Sequence, residues 1–247
     1  MSADERTRQK CYAFRDEYLA QTPSWYRGEY HLGFTLVFTG GVLLFCLLRI
    51  HASTPIQWLT VIPMLLFGNW AEWAGHRYLL HRPTRLLKAA YRRHCAVHHQ
   101  FFTHVTLEYE GQRQWRALLF PPFAPVLFIV AALPVALALG ILWIPNAGYI
   151  VMATMAGYYL MYEGLHTLSH LPRSRWLDYV PLVNTVRRMH VTHHDPQFMG
   201  ERNFNLTFPI CDALFKTSDL DRGLLGTLFS GRRPAGQGGA PASNTGL

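Results

Sequence analysis

The stretch ALLFPPFAPVLFIVAALPVALALGILWIPNAGYIVMATMAGYYLMY, residues 117–162, contains no Asp, Glu, Lys or Arg in 46 positions. A bilayer core about 30 Å thick needs about 20 residues of helix. The run is therefore long enough for two crossings joined by a turn in GILWIPNAG, residues 140–148. Two further uncharged segments, 32–48 and 52–71, are each long enough for one span. The sequence predicts an all-α, integral membrane protein with four transmembrane helices.

The overall composition also favours a membrane protein. Hydrophobic residues make up 50% of the 247 positions and charged residues 15%, against about 25% charged residues in an average soluble domain. The alternative is a soluble all-α protein whose apolar segments are buried core helices. Because a soluble core rarely contains so long an uncharged run, we expect the apolar helices to face lipid.

The basic residues are distributed unevenly along the chain. Four crossings would place three segments on one side of the membrane: the N-terminal arm, the loop at about 82–116 and the chain beyond about 170. These segments hold five, seven and nine of the 23 Lys and Arg residues. Since Lys and Arg are enriched in cytoplasmic loops, this side is predicted to be the cytoplasm. The net charge of +8 then requires no nucleic-acid partner, because contact with anionic lipid headgroups explains it.

These features divide the chain into three predicted segments. Residues 1–30 are polar and charged, which predicts a cytoplasmic arm rather than a cleavable signal. Residues 31–222 contain the predicted spans and form the membrane domain. Residues 223–247 are rich in Gly, Pro and Ser, which predicts a flexible tail on the cytoplasmic side.

Ten of the 13 histidines fall into four short groups. The groups are His76 and His81; His94, His98 and His99; His166 and His170; and His190, His193 and His194. With the predicted topology, all four groups lie at the cytoplasmic face at one depth. Burying ten imidazoles there without a ligand would leave many polar groups unsatisfied. The sequence therefore predicts a cytoplasmic histidine-rich metal-binding cap.

The spacing within the groups suits metal binding. Three pairs are four residues apart and would share a helix face within reach of one ion: His94 and His98, His166 and His170, and His190 and His194. His76 and His81 are five apart and would diverge on an ideal helix, unless the chain turns at His81, where Pro83 favours a helix end. The adjacent pairs His98/His99 and His193/His194 would point in different directions and serve separate ions.

Ten imidazoles divide into about five for each of two metal ions. Nitrogen-rich coordination without sulfur suits iron, zinc or copper and disfavours magnesium or calcium. The three remaining histidines need no metal: we interpret His31 and His51 as hydrogen-bonded structural residues, and His104 as either a spectator or a group next to the ligands.

Two acidic residues lie near the ends of predicted spans. Glu72 precedes His76 by four residues and Glu163 precedes His166 by three, so each carboxylate shares a helix face with a histidine. A carboxylate that accepts the second ring N–H of a ligating histidine fixes its tautomer, and an ionisable group within a span usually has a function. The alternative is that these acids pair with Arg77 or another basic group at the interface.

The order H-x4-H, H-x3-HH, H-x3-H and H-x2-HH on a four-span chain resembles the fatty acid hydroxylase and sterol desaturase superfamily. The stretch NFNLTFPICDALFKT, residues 203–217, resembles the family's downstream element, although Cys211 and Lys216 stand where the family usually has Trp and Gly. The resemblance extends from about residue 40 to about residue 220. It implies two iron ions, which zinc can replace, with O2 as cosubstrate and a lipid substrate that enters from the bilayer.

Iron held by neutral imidazoles can use O2 to oxidise an unactivated C–H bond, which no side-chain acid or base can do. The expected reaction is hydroxylation of a fatty acyl, sterol or isoprenoid lipid, with desaturation at the same site as the alternative. A rival of another class is a metal transporter or a structural zinc protein. Transporters usually place their ligands near the middle of the membrane and include carboxylates, which this pattern does not match.

Hydroxylation requires two electrons from outside the site. The sequence has no recognisable motif for a nicotinamide, haem c or iron–sulfur carrier. We therefore expect a ferredoxin, or cytochrome b5 with its reductase, to dock on the basic face, where Arg92, Arg93, Arg187 and Arg188 flank the histidines; the positive-inside rule explains these arginines nearly as well.

The aromatic stretches WAEW, residues 70–73, and GYYLMY, residues 157–162, are further candidates for function. They either line an apolar tunnel beside the metals or form ordinary packing and interfacial belts of the spans. The sequence alone does not separate these two interpretations.

Overall fold

The structure, a computed structural model, describes residues 1–85, 87–142, 144–172, 174, 177 and 180–219. The helices are α1 (Ala3–Ala20), α2 (Gly28–Arg49), α3 (Pro55–Trp58), α4 (Val61–Gly75), α5 (Lys88–Tyr91), α6 (His99–Phe101), α7 (Trp115–Leu118), α8 (Ala124–Leu142), α9 (Pro145–Ser169), α10 (Pro181–His193) and α11 (Ile210–Leu214). A π-helical turn, His76–Leu80, continues α4, and a second, Arg92–His98, links α5 to α6. The described residues contain no β-strand, so the all-α prediction is confirmed.

Helix α9 is the centre of the fold. It packs against α2, α4, α8 and α10, and Ile150, Val151 and Ala156 are 1%, 0% and 0% exposed. The apolar stretch of α9 around Val151–Ala156 suits a position surrounded by other helices. Because α9 ends at Ser169, it places His166 near its end, and His170 directly after it, beyond this apolar bundle and in the cap.

The predicted hairpin within residues 140–148 is present. Helix α8 ends at Leu142 and α9 begins at Pro145, where the fixed φ of proline suits the first helical turn. A Cβ on Gly148 would lie 2.5 Å from the carbonyl oxygen of Ala136. The absence of a side chain at Gly148 therefore lets the two helices approach closely.

Among the described residues, two helices are long and apolar enough to cross a membrane: α2 and the segment Ala124–Ile141 of α8. Their outer faces expose large apolar side chains, namely Val37, Leu44, Phe45, Leu48, Leu127, Val130, Leu137 and Ile141. Exposed apolar surface on this scale is unusual for a soluble monomer. Both features are consistent with a membrane protein.

The other two predicted spans look different. Residues 52–71 are divided between α3 and α4, with a break at Leu59 and Thr60. Helix α9 is long, but Glu163 and the polar residues near its end lower its mean hydropathy. The described helices thus support two spans, and the four-span topology and its sidedness remain predictions.

The N-terminal arm contains a regular helix. Ser2 and Glu5 form a capping box at the start of α1: the Ser2 hydroxyl accepts the Glu5 N–H at 3.1 Å, and the Glu5 carboxylate accepts the Ser2 N–H at 2.9 Å. Cys11 and Arg15 bury one side of α1 against the cap. The tail predicted at residues 223–247 lies outside the described residues.

Candidate metal centre

The four histidine groups of the sequence converge in the structure into two clusters of ligand atoms. The five-histidine group consists of His76, His81, His94, His99 and His193; the four-histidine group consists of His98, His166, His170 and His190. Within each group the ligand atoms all lie within 4.8 Å of one another. Eight of these nine imidazoles are buried and His81 is half-buried. Distant chain segments therefore meet in histidine clusters that could hold metal ions.

The two π-helical turns decide which histidines meet. In a π turn the hydrogen bond runs from residue i+5 to residue i, and the His81 N–H donates to the His76 carbonyl at 3.2 Å. Residues five apart therefore stack on one side, and His76 and His81 share a group without the turn we expected at Pro83. In the second turn the His99 N–H likewise donates to the His94 carbonyl.

The second π turn corrects one predicted pairing. His94 and His98 are four apart, but they belong to different groups, because the π geometry aligns His94 with His99 instead. The Nε2 atoms of His94 and His99 are 3.1 Å apart. The adjacent residues His98 and His99 fall in different groups.

Pairs of Nε2 atoms face one another at short range throughout both groups. The distances are 2.9 Å for His76–His94, 3.1 Å for His81–His94, 3.0 Å for His81–His193, 3.3 Å for His98–His166 and 2.8 Å for His170–His190. His194 belongs to neither group, but its Nε2 lies 3.0 Å from that of His190. His194 is therefore placed at the edge of the four-histidine group.

Backbone carbonyls orient five of the imidazoles. The Nδ1 atoms of His76, His98, His170, His193 and His194 lie 2.6, 3.1, 2.7, 2.9 and 2.5 Å from the carbonyl oxygens of Phe204, Ala117, Leu107, Arg202 and Phe102. A carbonyl only accepts, so each Nδ1 carries the proton and each Nε2 presents a lone pair to the group. The carbonyls thus select the tautomer that binds a metal.

This geometry fits metal ions. Where two Nε2 lone pairs face each other they repel, and a cation between them turns the repulsion into coordination. Imidazole nitrogen binds zinc at about 2.0–2.1 Å, so two ligands at right angles are separated by about 3 Å, the separation seen between the facing Nε2 atoms. An all-imidazole set suits iron, zinc or copper, and the nine grouped histidines can bind metal.

Burial keeps these imidazoles neutral. Desolvation lowers the pKa of His98 to about 3. Desolvation, followed by the charges of neighbouring imidazoles, also holds the pKa of His94 and His99 well below the ordinary value. Because only the unprotonated nitrogen binds a metal, the cap holds its ligands in the competent form at neutral pH.

Glu72 does not orient His76, contrary to the interpretation from their spacing. Its carboxylate accepts hydrogen bonds from the Tyr158 hydroxyl and from the N–H and hydroxyl of Thr207, the last two at 3.1 and 2.6 Å. His76 donates to the Phe204 carbonyl instead. Glu72 therefore acts on His76 only indirectly, by tying α4 and α9 to the segment that carries Phe204.

Glu163 also has different partners from those predicted. Its Oε1 accepts the Phe120 N–H at 3.2 Å and the Tyr159 hydroxyl at 3.1 Å. Among the described residues, neither Glu163 Oε2 nor His166 Nδ1 has a hydrogen-bond partner. Glu163 therefore holds Phe120, in the segment that leads into α8, against α9, and it does not orient His166.

Asp212 has a supporting role that the sequence reasoning did not assign. Its carboxylate accepts the N–H groups of Phe204 and Asn205 at 3.0 and 2.7 Å and the Thr217 hydroxyl at 2.7 Å. These bonds fold residues 203–217 into a compact turn that presents the Phe204 carbonyl to His76. The clue in the sequence was the position of Asp212 within the downstream element.

The three remaining histidines lie outside both groups, each in different surroundings. The ring of His31 lies 2.9 Å from the Tyr26 hydroxyl and 2.8 Å from the Phe120 carbonyl, a structural role as expected. The backbone N–H of His51 donates to Asn146 at 3.2 Å. His104 lies outside both groups and lines a cavity of about 650 Å³ beside α1.

An apolar groove of about 530 Å³ lies between α4, α8 and α9 and reaches His76. Tyr158, Tyr159 and Tyr162 of the GYYLMY stretch line it, as the tunnel interpretation requires. Of the WAEW stretch, Ala71 and Glu72 line it, whereas Trp73 stacks on Phe215 at a ring distance of 4.3 Å. Its outer wall includes the exposed side chains Phe67, Leu79, Leu127 and Val135, so the groove opens sideways through the apolar surface.

The family model described as fatty acid hydroxylase matches residues 60–217. This segment is more than half of the 247 residues and contains both histidine groups, His194 and the downstream element. Comparisons with curated proteins and with solved structures found no match. The matched segment and the geometry of its histidines lead to one conclusion: the chain belongs to the fatty acid hydroxylase family of oxidoreductases.

Proposed function

We propose that this chain is a di-iron membrane oxygenase that uses O2 to hydroxylate an unactivated C–H bond of a lipid. One observation carries the proposal: an apolar groove reaches His76, a member of one of the two neighbouring groups of Nε2 atoms. The groove opens to the outside through the exposed apolar faces of the helices. Iron bound to these groups would supply the redox chemistry with O2 that side chains lack. The proposed ligands are the nine grouped histidines together with His194.

The protein's own contribution is to position the substrate and exclude water. The groove volume falls within the range of about 300–1,000 Å³ typical of small-molecule sites. The hydroxyl of Tyr158 is turned to Glu72 and that of Tyr159 to Glu163, so the ring faces are left to contact hydrocarbon. A lipid chain that enters sideways would bring one C–H bond next to His76, and its exact placement would select hydroxylation over desaturation.

The proposal includes a membrane topology and an electron donor. We place α2, α4 with its π turn, α8 and α9 across the bilayer and the histidines on the cytoplasmic side. The enrichment of Lys and Arg in the segments that flank the histidines supports this orientation. A ferredoxin, or cytochrome b5 with its reductase, would deliver two electrons at the basic surface of the cap.

The test is lipid analysis with matched variants. The full chain is expressed in a lipid-producing host, and the lipids are compared by mass spectrometry with those from hosts that express His98→Ala and His51→Ala. We expect a product with one added oxygen from the wild type and from His51→Ala, whose exposed side chain lies away from both groups, and none from His98→Ala.

Three results would contradict the proposal. A product that has lost two hydrogens would replace hydroxylation with desaturation. Unchanged lipids in the wild-type host, or an active and iron-replete His98→Ala variant, would reject the proposed reaction or ligand set.

A further inference from the structure

The N-terminal helix α1 lies outside the segment matched by the family model, yet it packs on the metal-binding cap. Its two buried side chains are Cys11 and Arg15. Arg15 is only 2% exposed, although a charged guanidinium is almost never fully buried unless it is paired. The partners of Arg15 therefore indicate what α1 does for the cap.

The guanidinium of Arg15 binds the backbone of one loop at several points. Its Nε donates to the Phe101 carbonyl at 2.8 Å, and its Nη2 donates to the carbonyls of Thr106 and Glu108 at 2.6 and 3.2 Å. Its Nη1 lies 3.3 Å from a carboxylate oxygen of Glu110. Only the planar fork of arginine offers donors in several fixed directions, which a lysine ammonium cannot reproduce.

The same loop orients two histidines on its other side. The Phe102 carbonyl lies 2.5 Å from His194 Nδ1, and the Leu107 carbonyl lies 2.7 Å from His170 Nδ1. Each of these carbonyls directly follows one that Arg15 binds. Phe102 is extended, with φ −120° and ψ 116°, and in extended backbone successive carbonyls point to opposite sides. The loop therefore connects the guanidinium to the imidazoles.

We infer that Arg15 is a positioning residue for the four-histidine side of the metal centre. By fixing the outward carbonyls of residues 101–108, it fixes the inward carbonyls that hold His170 and His194 with Nε2 toward the site. The inference rests on the proposed function, because it treats these histidines as metal ligands. It also extends the metal centre to a helix outside the family match.

The expected loss of metal affinity without Arg15 follows from the two hydrogen bonds that orient His170 and His194. Loss of a group that orients a metal-ligating histidine typically lowers metal affinity 10–100-fold. Arg15 acts on the carbonyls that orient His170 and His194, whereas the orienting carbonyls of the five-histidine group come from Arg202 and Phe204. We therefore expect loss of Arg15 to weaken one metal site and to leave the other unchanged.

The experiment is a Co²⁺ titration of the full chain purified in detergent, followed by the d–d absorption of the bound ion. Arg15→Gln is compared with Arg6→Gln, which removes an exposed arginine of the same helix. We expect two bound ions in the wild type and the control, and one site weakened about 10–100-fold with an altered spectrum in Arg15→Gln. Arg15→Gln should add little to His170→Ala at the four-histidine group, because both changes weaken the same metal site.

The outcomes separate this inference from the proposed function. Wild-type affinity at both sites in Arg15→Gln, or equal weakening of both sites, would overturn the positioning role and leave the metal centre intact. A wild-type chain that binds no Co²⁺ would overturn the proposed function itself. If Arg15→Gln does not fold, Arg15→Lys keeps the charge without the fork, and wild-type metal binding by that variant would equally reject the inference.

Discussion

The two histidine groups use the same ligand atom but different scaffolds. In the five-histidine group the orienting carbonyls come from residues 202–204, within and beside the downstream element. In the four-histidine group and at His194 they come from Phe102 and Leu107, in the loop between α6 and α7, and from Ala117 in α7. One group thus depends on chain that follows the last histidine, and the other on a loop buttressed by α1. Because the two groups share no orienting carbonyl, we expect each to be perturbed without the other.

The largest effect should follow from removal of a ligand in either group. We expect His76→Ala to empty the site of the five-histidine group and His170→Ala to empty that of the four-histidine group. Each change should lower hydroxylation by at least about 100-fold, the upper end of the cost of losing an orienting partner. Iron per chain, measured by elemental analysis, should fall from two to one in each variant. Loss of both ions from one substitution would show that the sites are not independent.

A smaller effect should follow when one scaffold is loosened. Asp212→Asn removes the carboxylate that gathers the N–H groups of Phe204 and Asn205. We expect metal affinity to fall about 10–100-fold at the five-histidine group only, measured by Co²⁺ titration. Glu201→Gln, an exposed neighbour, is the matched control. Weakening of the four-histidine group instead would contradict the division of scaffolds.

The groove should be separable from both metal sites. Ala71 lines the groove on the helix that carries Glu72, so Ala71→Phe should fill the space that the lipid would occupy. We expect kcat/KM to fall by about 10-fold or more, in line with 1–3 kcal/mol for a steric misfit in a packed site, while iron per chain stays at the wild-type value. Leu36→Phe on the exposed face of α2 should leave the activity unchanged.

The smallest expected effect lies in the downstream element. Lys216 has a φ of 56°, in the left-handed region that disfavours any residue with a Cβ. Lys216→Gly should raise the free energy of unfolding by about 1 kcal/mol, measured by thermal or denaturant unfolding in detergent. Lys216→Ala keeps the Cβ and should give no such gain, which separates backbone strain from loss of the lysine charge.

Much of the fold and of the site was readable from the sequence because the signals are local. Uncharged runs predicted the hairpin of α8 and α9 and the apolar helix α2, and the four histidine groups predicted a nitrogen-lined metal centre. The separation of His98 from His99 also followed from sequence, since adjacent residues on a helix point in different directions. The spacing rule failed at His94 and His98, because an α-helical period does not hold in a π turn.

The orienting partners could not be predicted in the same way. The ring N–H groups donate hydrogen bonds to backbone carbonyls. Because every residue has a carbonyl, the residue types do not show which carbonyl accepts. The two acids to which their spacing assigned this role, Glu72 and Glu163, instead connect separate elements, Glu72 to residues 206–207 and Glu163 to Phe120.

By itself, the sequence determined that this chain is helical and apolar and gathers ten imidazoles, because hydrophobic runs and side-chain chemistry are properties of residues in order. Only the tertiary structure decided how those imidazoles divide between two sites and which carbonyls hold their tautomers. It also brought a helix from the N-terminal arm to brace one of the sites through Arg15. These features depend on contacts between segments up to 128 residues apart, as between His76 and Phe204, which packing creates and local periodicity does not record.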